Sequence, residues 1–389
     1  MNMNLTINEV LTRRVTNIIP NKQKLEELLK SKKKLNVYLG IDPTATRIHI
    51  GHALALRKLQ EFVELGHNVT FLIGDFTALI GDTSDKDTER PVLSYQEIRE
   101  NFKTYKKQAS KILDFSKVKV KFNSSWLSKL KFAEIIKLCQ EFSFADFAGR
   151  ELIKKRLNDK KRVGLHEALY PVMQGYDSYI LDTDIQIGGA DQTFNMQAGR
   201  ELQSKLRGKE SFVLVTGYLT GTDGRKMSKS WGNAIWLSDS ADEMYGKVMS
   251  IPDELIIEYF ENVTNTSEAK IKDIAKALKS GVNPIELKKE LAFAITRQLH
   301  SIRVATKAKN TFEKSFKTKN PEYLLGIKMM KSLIETIAPF TSLKSLSDAK
   351  RLIQQGAIKI NGDVVTDLNY KIKKGDKIKI GKKIFGKLV

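Results

Sequence analysis

The chain has 389 residues, 41% of them hydrophobic, and a formal net charge of +21. That length suggests two or three domains with buried cores, no run of about 20 apolar residues offers a membrane-spanning helix, and the stretch Met1 to Ile7 lacks the charged and apolar regions of a secretory signal. The single cysteine, Cys139, excludes an internal disulfide or a structural zinc site and suits a reducing cytoplasm, while the basic excess favours a polyanionic partner, nucleic acid first, with a proteome-wide drift toward lysine and asparagine as the open alternative.

From about residue 35, short apolar runs alternate with amphipathic stretches. Residues 36–41 read as a buried strand, and 52–65 as a helix with Leu54, Leu56, Leu59, Phe62 and Val63 at helical spacing and Gly66 as its stop. Strands follow at 69–73, 118–122, 184–187 and 212–215, with helices at 101–115, 166–180 and 191–206. This alternation predicts an α/β fold, a doubly wound, Rossmann-like parallel sheet, with its ligand outside the carboxyl ends of the strands. After Trp236 the pattern turns helical and charged, with Pro252, Pro284 and Pro321 as punctuation, which predicts an all-α domain. From about Gly326 a small α+β domain is expected: helices at 329–337 and 347–355, then β segments around 358–360 and 377–380. Residues 341–389 hold twelve Lys/Arg against four Asp and no Glu, a net of +8 in an eighth of the chain. Clustering of that kind points to a polyanion more firmly than the overall charge does.

Two short strings 177 residues apart carry the clearest chemistry. The first, His49-Ile50-Gly51-His52, falls where a strand gives way to a helix, after the turn Asp42-Pro43-Thr44-Ala45-Thr46. A helix start presents unpaired N–H groups and a partial positive charge, and both attract phosphate. Gly51 has no Cβ, so a flat base can approach the backbone there. His49 and His52 offer side-chain donors. The second string, Lys226-Met227-Ser228-Lys229-Ser230, follows the turn-rich Gly221-Thr222-Asp223-Gly224, a segment expected to be mobile. Two lysines on such a loop can close over a triphosphate and neutralise charge building on its β and γ groups. No P-loop pattern is present. Either string alone also fits a solvated loop; together they divide one task, holding and polarising a nucleoside triphosphate.

The pair resembles the HIGH and KMSKS signatures of class I aminoacyl-tRNA synthetases, and the surrounding residues resemble bacterial-type tyrosyl-tRNA synthetases. The matching stretches are 38–45, 72–82, 169–177, 187–192 and the lysine loop; with the tail, the resemblance covers nearly the whole chain. The spelling Met173-Gln174-Gly175-Tyr176-Asp177 and the short C-terminal domain are similar to the second bacterial subgroup. The resemblance implies ATP and L-tyrosine as substrates, tyrosyl-adenylate and pyrophosphate as first products, and transfer of tyrosine to the 3′ end of tRNA(Tyr). It implies Mg²⁺ carried on the ATP phosphates, no permanent cofactor and no protein metal site. Positioning and charge stabilisation would carry the rate, with no covalent nucleophile. A site that hydrogen-bonds the phenol rejects phenylalanine by roughly 10⁴–10⁵, a value taken from tyrosyl-tRNA synthetases themselves.

By the same resemblance, Tyr38 and Asp177 reach the phenolic hydroxyl, and Tyr170, Gln174 and Asp82 hold the α-amino group. Thr77 and Gln192 line that pocket, and Asn123, before Trp126, borders it. Asp42 and Asp191 sit near the amino-acid and ribose ends of the adenylate, with Gly51 against the base. Thr44 and His49 contact the departing pyrophosphate, with His52 beside them and Lys226 and Lys229 closing from the loop. Lys86 and Arg90 resemble a transition-state clamp on a second mobile segment. Two residues depart from relatives: Leu39 offers no hydrogen bond near the ribose, and Ala190 stands where Ser or Thr is common.

Residues 346–362 resemble the S4 RNA-binding domain, in which a basic helix and a small β element meet RNA backbone and shape. The implied organisation is a catalytic domain over 1–236, an α-helical anticodon-region domain over 237–325 and an S4-like domain over 326–389. A cytoplasmic homodimer is implied, with tRNA reaching across two subunits and neither DNA nor membrane as partner. The competing readings are a tryptophan-activating synthetase, a synthetase-derived RNA-binding protein without activity, and a HIGH-bearing nucleotidyltransferase that activates another small acid.

Overall fold

The structure, a computed structural model, describes all residues except 1–4, 32, 45, 83–92, 230, 318–324, 328, 342–344 and 382–383. The chain divides into two compact units, residues 1–238 with 250–291 and residues 239–249 with 292–389.

In the first unit, β1 (Val15–Ile19), β2 (Asn36–Ile41), β3 (Asn68–Ile73), β4 (Lys119–Phe122), β5 (Ile185–Gly189) and β6 (Phe212–Thr216) form one sheet in the order β1-β6-β5-β2-β3-β4. Strands β2 to β6 run parallel; β1 lies antiparallel to β6. All five residues of β6 are buried, as a strand covered on both faces requires. From β2 the chain winds outward through β3 to β4, then returns to β5 and β6 on the other side. The carboxyl ends of β2 and β5 therefore flank the switch point, where an open α/β sheet offers a crevice. The expected sheet is present, with one correction: it is mixed, because β1 closes an edge. Thr16 and Asn17 of β1 are exposed, so this strand lacks the apolar run that marks the others.

Helix Ala53–Glu64 follows the histidine string and buries Leu54, Leu56, Leu59 and Phe62 against the sheet side of the core. Helix Tyr95–Ala109 starts six residues before the expected position. Its start is set by a capping box, Ser94 with Glu97, rather than by apolar spacing. Helices Leu165–Ile180 and Thr193–Arg207 flank β5, the second preceded by a 3₁₀ turn at Ala190–Gln192. The predicted helical region after Trp236 is also present, as helices Ala241–Met249, Ile256–Val263, Glu268–Lys279, Pro284–Leu299 and Ile302–Lys317.

In the second unit, helices Ala241–Met249 and Ile302–Lys317 pack together, with the rings of Tyr245 and Phe312 5.3 Å apart. A second sheet contains β7 (Leu325–Ile327), β8 (Ile358–Ile360), β9 (Asp363–Val365), β10 (Lys377–Ile380) and β11 (Ile384–Leu388), in the order β7-β11-β10-β8-β9. Helices Leu333–Ile337 and Leu346–Gln354 close over it around Ile327, Leu333, Ile337, Ile353, Ile358, Ile378, Ile380 and Leu388. The first of these helices starts four residues later than expected, because Ser332 caps it by accepting from the Glu335 N–H. Strands β7, β9 and β11 were not expected: their sequences lack the alternation of lysine and isoleucine that marks β8 and β10. Lysines alternate with buried isoleucines on β8 and β10, and Lys359 pairs across with Lys379, as Lys377 does with Lys387.

Candidate active site

A cavity of about 700 Å³ opens in the first unit at the switch point, lined by residues from the ends of β2, β3, β5 and β6. Sixteen of the expected residues line it: Tyr38, Asp42, Thr44, His49, Gly51, His52, Thr77, Asp82, Asn123, Tyr170, Gln174, Asp177, Asp191, Gln192, Lys226 and Lys229. Lys86 and Arg90 lie outside the described residues.

One end of the cavity is organised around buried polar groups. Tyr38 is 2% exposed, and its hydroxyl forms no hydrogen bond among the described residues. Burial, then the neighbouring Asp177 carboxyl, push the Tyr38 phenol upward, with Ser178 acting the other way. A buried hydroxyl left unpaired costs about 1–3 kcal/mol, so a ligand that supplies its partner recovers that energy. Tyr170, Gln174 and Asp177 follow at spacings of four and three on helix Leu165–Ile180, which puts them on one face. Asp177 Oδ1 accepts from Trp126 Nε1 (2.7 Å) and Oδ2 from Asn123 Nδ2 (3.0 Å). Burial pushes its carboxyl up to about 8, against those two hydrogen bonds, so near neutral pH it holds a proton for much of the time.

The same Asn123 amide also donates to Thr77 Oγ1 (3.0 Å), Thr77 donates to Asp42 Oδ1 (2.8 Å), and Tyr170 Oη donates to Asp42 Oδ2 (2.9 Å). Asp42 is thereby tied to residues expected at the amino-acid end. This packing leaves no room for a side chain at Gly74, where a Cβ would begin 1.9 Å from Asp42 Oδ1 and 2.3 Å from Thr77 Oγ1. Gln192 Nε2 donates to Asp82 Oδ2, and Asn195 supports Gln192 in turn (3.2 Å). Asn123, expected at the border of this pocket, lies in it directly after β4. The network also uses one residue whose part the sequence hid: Trp126 carries no motif.

The other end joins the two strings. The rings of His49 and His52 stack at 3.7 Å, and Trp236 meets His49 edge-on at 5.8 Å. Burial first, then Lys229 and Lys226, push the His49 imidazole down to about 3, so it is neutral near pH 7 and works through its hydrogen-bonding nitrogens. The N–H groups of His52 and Ala53 do not point free at a ligand: they donate to the His49 and Ile50 carbonyls (2.9 and 3.1 Å), because the string folds into a tight turn before the helix. The helix dipole and the side chains remain to attract an anion. Ile235 and Leu237, which follow the lysine loop, pair with Ile50 and Ile48 through two hydrogen bonds of 2.9 Å, so one stretch of chain binds both strings together.

The segment expected to be mobile is a hydrogen-bonded hairpin in which Thr220 pairs with Lys226. Lys226 Nζ lies 3.4 Å from the centre of the Tyr218 ring, a cation–π contact. Asn233, buried behind the loop, accepts from the Ser228 N–H (2.9 Å) and donates to the Lys226 carbonyl (3.1 Å) and to Asp223 Oδ1 (2.7 Å). Its turn-forming dipeptide Gly232-Asn233 was the available sequence signal.

A crevice at the switch point that pairs a buried polar end with this histidine and lysine device is the arrangement of an adenylate-forming class I synthetase. Residues 30–317 match the family described as tRNA synthetases class I (W and Y), and the chain belongs to that family. Residues 342–378 match the S4 domain. Among the similar relatives are tyrosine–tRNA ligases of Carboxydothermus hydrogenoformans, 42% identical and covering 98% of this chain and 97% of that protein, and of Thermotoga maritima, 39% identical and covering 97% and 96%. The fold is also similar to a tyrosyl-tRNA synthetase from Archaeoglobus fulgidus solved with L-tyrosine (TM-score 0.61, 24% identity, 77% of this chain and 98% of that one).

Proposed function

We propose that the chain is a tyrosine–tRNA ligase: it activates L-tyrosine with ATP and then charges the 3′ end of tRNA(Tyr). The observation that carries this reading is a single cavity with Tyr38 and Asp177 at one end and both signature strings at the other. Full-length likeness to tyrosine–tRNA ligases supports it. The tyrosine carboxylate attacks the α-phosphorus of ATP in line, an oxygen–phosphorus bond forms, the α–β bridge breaks, and pyrophosphate leaves. A terminal ribose hydroxyl of the tRNA then takes the tyrosyl group and AMP departs. Mg²⁺ enters on the ATP phosphates as part of the substrate.

Tyr38 and Asp177 take the phenolic hydroxyl, which satisfies the otherwise unpaired Tyr38 oxygen. Tyr170, Gln174 and Asp82 face the α-amino group, with Thr77 and Gln192 beside them. Asp42 and Asp191 serve the adenylate and Gly51 the base. Thr44, His49, His52, Lys226 and Lys229 stabilise the leaving pyrophosphate; Lys86 and Arg90 assist from the second segment. Residues 1–236 catalyse, 237–325 form the helical anticodon region and 326–389 dock RNA. A cytoplasmic homodimer fits this reading: Phe132 and Ile136, one turn apart on helix Phe132–Cys139, are 77% and 46% exposed, with Phe144 65% exposed nearby in sequence, an apolar surface suited to a second copy.

The deciding experiment is ATP–pyrophosphate exchange with each of the twenty amino acids. Exchange driven by tyrosine alone is expected. Exchange driven by tryptophan, or tRNA binding without any exchange, would replace this reading with one of its rivals.

A further inference from the structure

Helix Ile256–Val263 lies beyond both signature strings in sequence, yet it is bonded to the elements that carry each of them. Near its start, Glu258 accepts from the Thr220 N–H through Oε1 (2.8 Å) and from the Thr220 hydroxyl through Oε2 (2.9 Å). The next residue, Tyr259, is fully buried and donates its hydroxyl to the Thr220 carbonyl (2.6 Å). Thr220 thus gives three hydrogen bonds' worth of polar groups to two adjacent residues, and it is the residue paired with Lys226 at the base of the lysine hairpin. At the far end of the helix, Arg14 donates to the carbonyls of Asn262 (2.9 Å) and Thr264 (2.6 Å). Cationic donors suit a helix C-terminus. The same guanidinium pairs with Glu61 at 2.5 Å, on the helix that follows the histidine string, and both side chains are buried.

We infer that the Ile256–Val263 helix is a strut that fixes the lysine hairpin relative to the histidine string, and that Glu258 and Tyr259 are positioning residues for adenylate formation. The inference rests on the ligase reading above. Exposed loop lysines lose force quickly with misplacement, whereas a hairpin whose base is bonded on three sides of one residue presents Lys226 at a fixed place. Among the described residues, none of the strut lines the cavity, so its effect belongs to the step in which charge builds on the pyrophosphate and not to tyrosine recognition.

The test is tyrosine-dependent ATP–pyrophosphate exchange by full-length Glu258→Gln and Tyr259→Phe, with the unfolding midpoint of each variant measured alongside. Both kcat and kcat/KM for ATP should fall together, by about ten- to hundredfold, while KM for tyrosine stays at the wild-type value. An unchanged kcat beside a lowered unfolding midpoint would make the contacts merely structural and overturn the inference. So would a KM for tyrosine that rises in step with the loss of kcat. A wild-type chain that shows no tyrosine-dependent exchange would instead overturn the ligase reading, and the strut's catalytic role with it.

Discussion

Asp177 is a carboxyl held out of water, and it behaves as a different acid from one on the surface. Its ordinary value of 3.8 is pushed up to about 8 by burial, despite the donors Asn123 and Trp126. Between those two values the folded protein keeps a proton that the unfolded chain has released. The group's contribution to stability is therefore fully present below about pH 4 and is lost as the pH rises through about 8. Asp177→Asn removes the titration and keeps the shape. The melting temperature of the wild type, measured against that variant from pH 5 to pH 9 without substrates, should fall progressively across the series. A difference that stays constant with pH would show that Asp177 is already ionised in the folded protein. His49 has the opposite sign: pushed down to about 3, it contributes stability above its ordinary value of 6.5 that is lost as the pH falls toward 3.

At the scale of elements, the helix Leu165–Ile180 presents Tyr170, Gln174 and Asp177 to the cavity, so where that helix starts matters to all three. Its start is pinned by an ion pair: Arg156 meets Glu167 through two hydrogen bonds of 2.7 and 3.0 Å, each residue being 1% exposed. Glu167 also accepts from the Gly164 N–H (2.7 Å). Glu167→Ala leaves a buried guanidinium without its carboxylate, a loss of about 3–5 kcal/mol. Denaturant unfolding should report it, and tyrosine affinity should weaken with it; a loss below about 1 kcal/mol would mean that water reaches Arg156. This pair also shows where sequence reading stops. The strands and amphipathic helices were legible because burial imposes a period, and the two strings because their residue types are unusual together. Arg156, Trp126 and Asn233 act through contacts between distant segments or inside loops, where no period exists, and the start of helix Tyr95–Ala109 is written in Ser94-x-x-Glu97 rather than in apolar spacing. Most of the individual site residues came from likeness to a family; the residues alone gave only the nucleotide device.

For the molecule as a whole, the question is what the basic tail contributes. Its lysines are not scattered: on the second sheet Lys359 faces Lys379 and Lys377 faces Lys387, on the side opposite the buried isoleucines. Like charges directly opposed across strands cost up to about 1 kcal/mol, an arrangement that a polyanion lying over them would reverse. The core beneath these lysines runs from Ile327 to Leu388, so a cut at residue 341 would split it, leaving Ile327, Leu333 and Ile337 without their partners. The informative truncation instead removes residues 318–389, after helix Ile302–Lys317 ends. The cavity lining lies wholly between Tyr38 and Trp231, so tyrosine-dependent pyrophosphate exchange should persist in that variant. Charging of tRNA should fall by about tenfold or more at moderate salt, and its remaining salt dependence should be shallower, because each lost phosphate contact removes roughly one released counterion. Exchange and charging measured side by side on the truncated and full chains decide the matter. Equal loss of both would mean that the tail supports the catalytic unit's folding or assembly, and that its lysine face is not a docking surface for RNA.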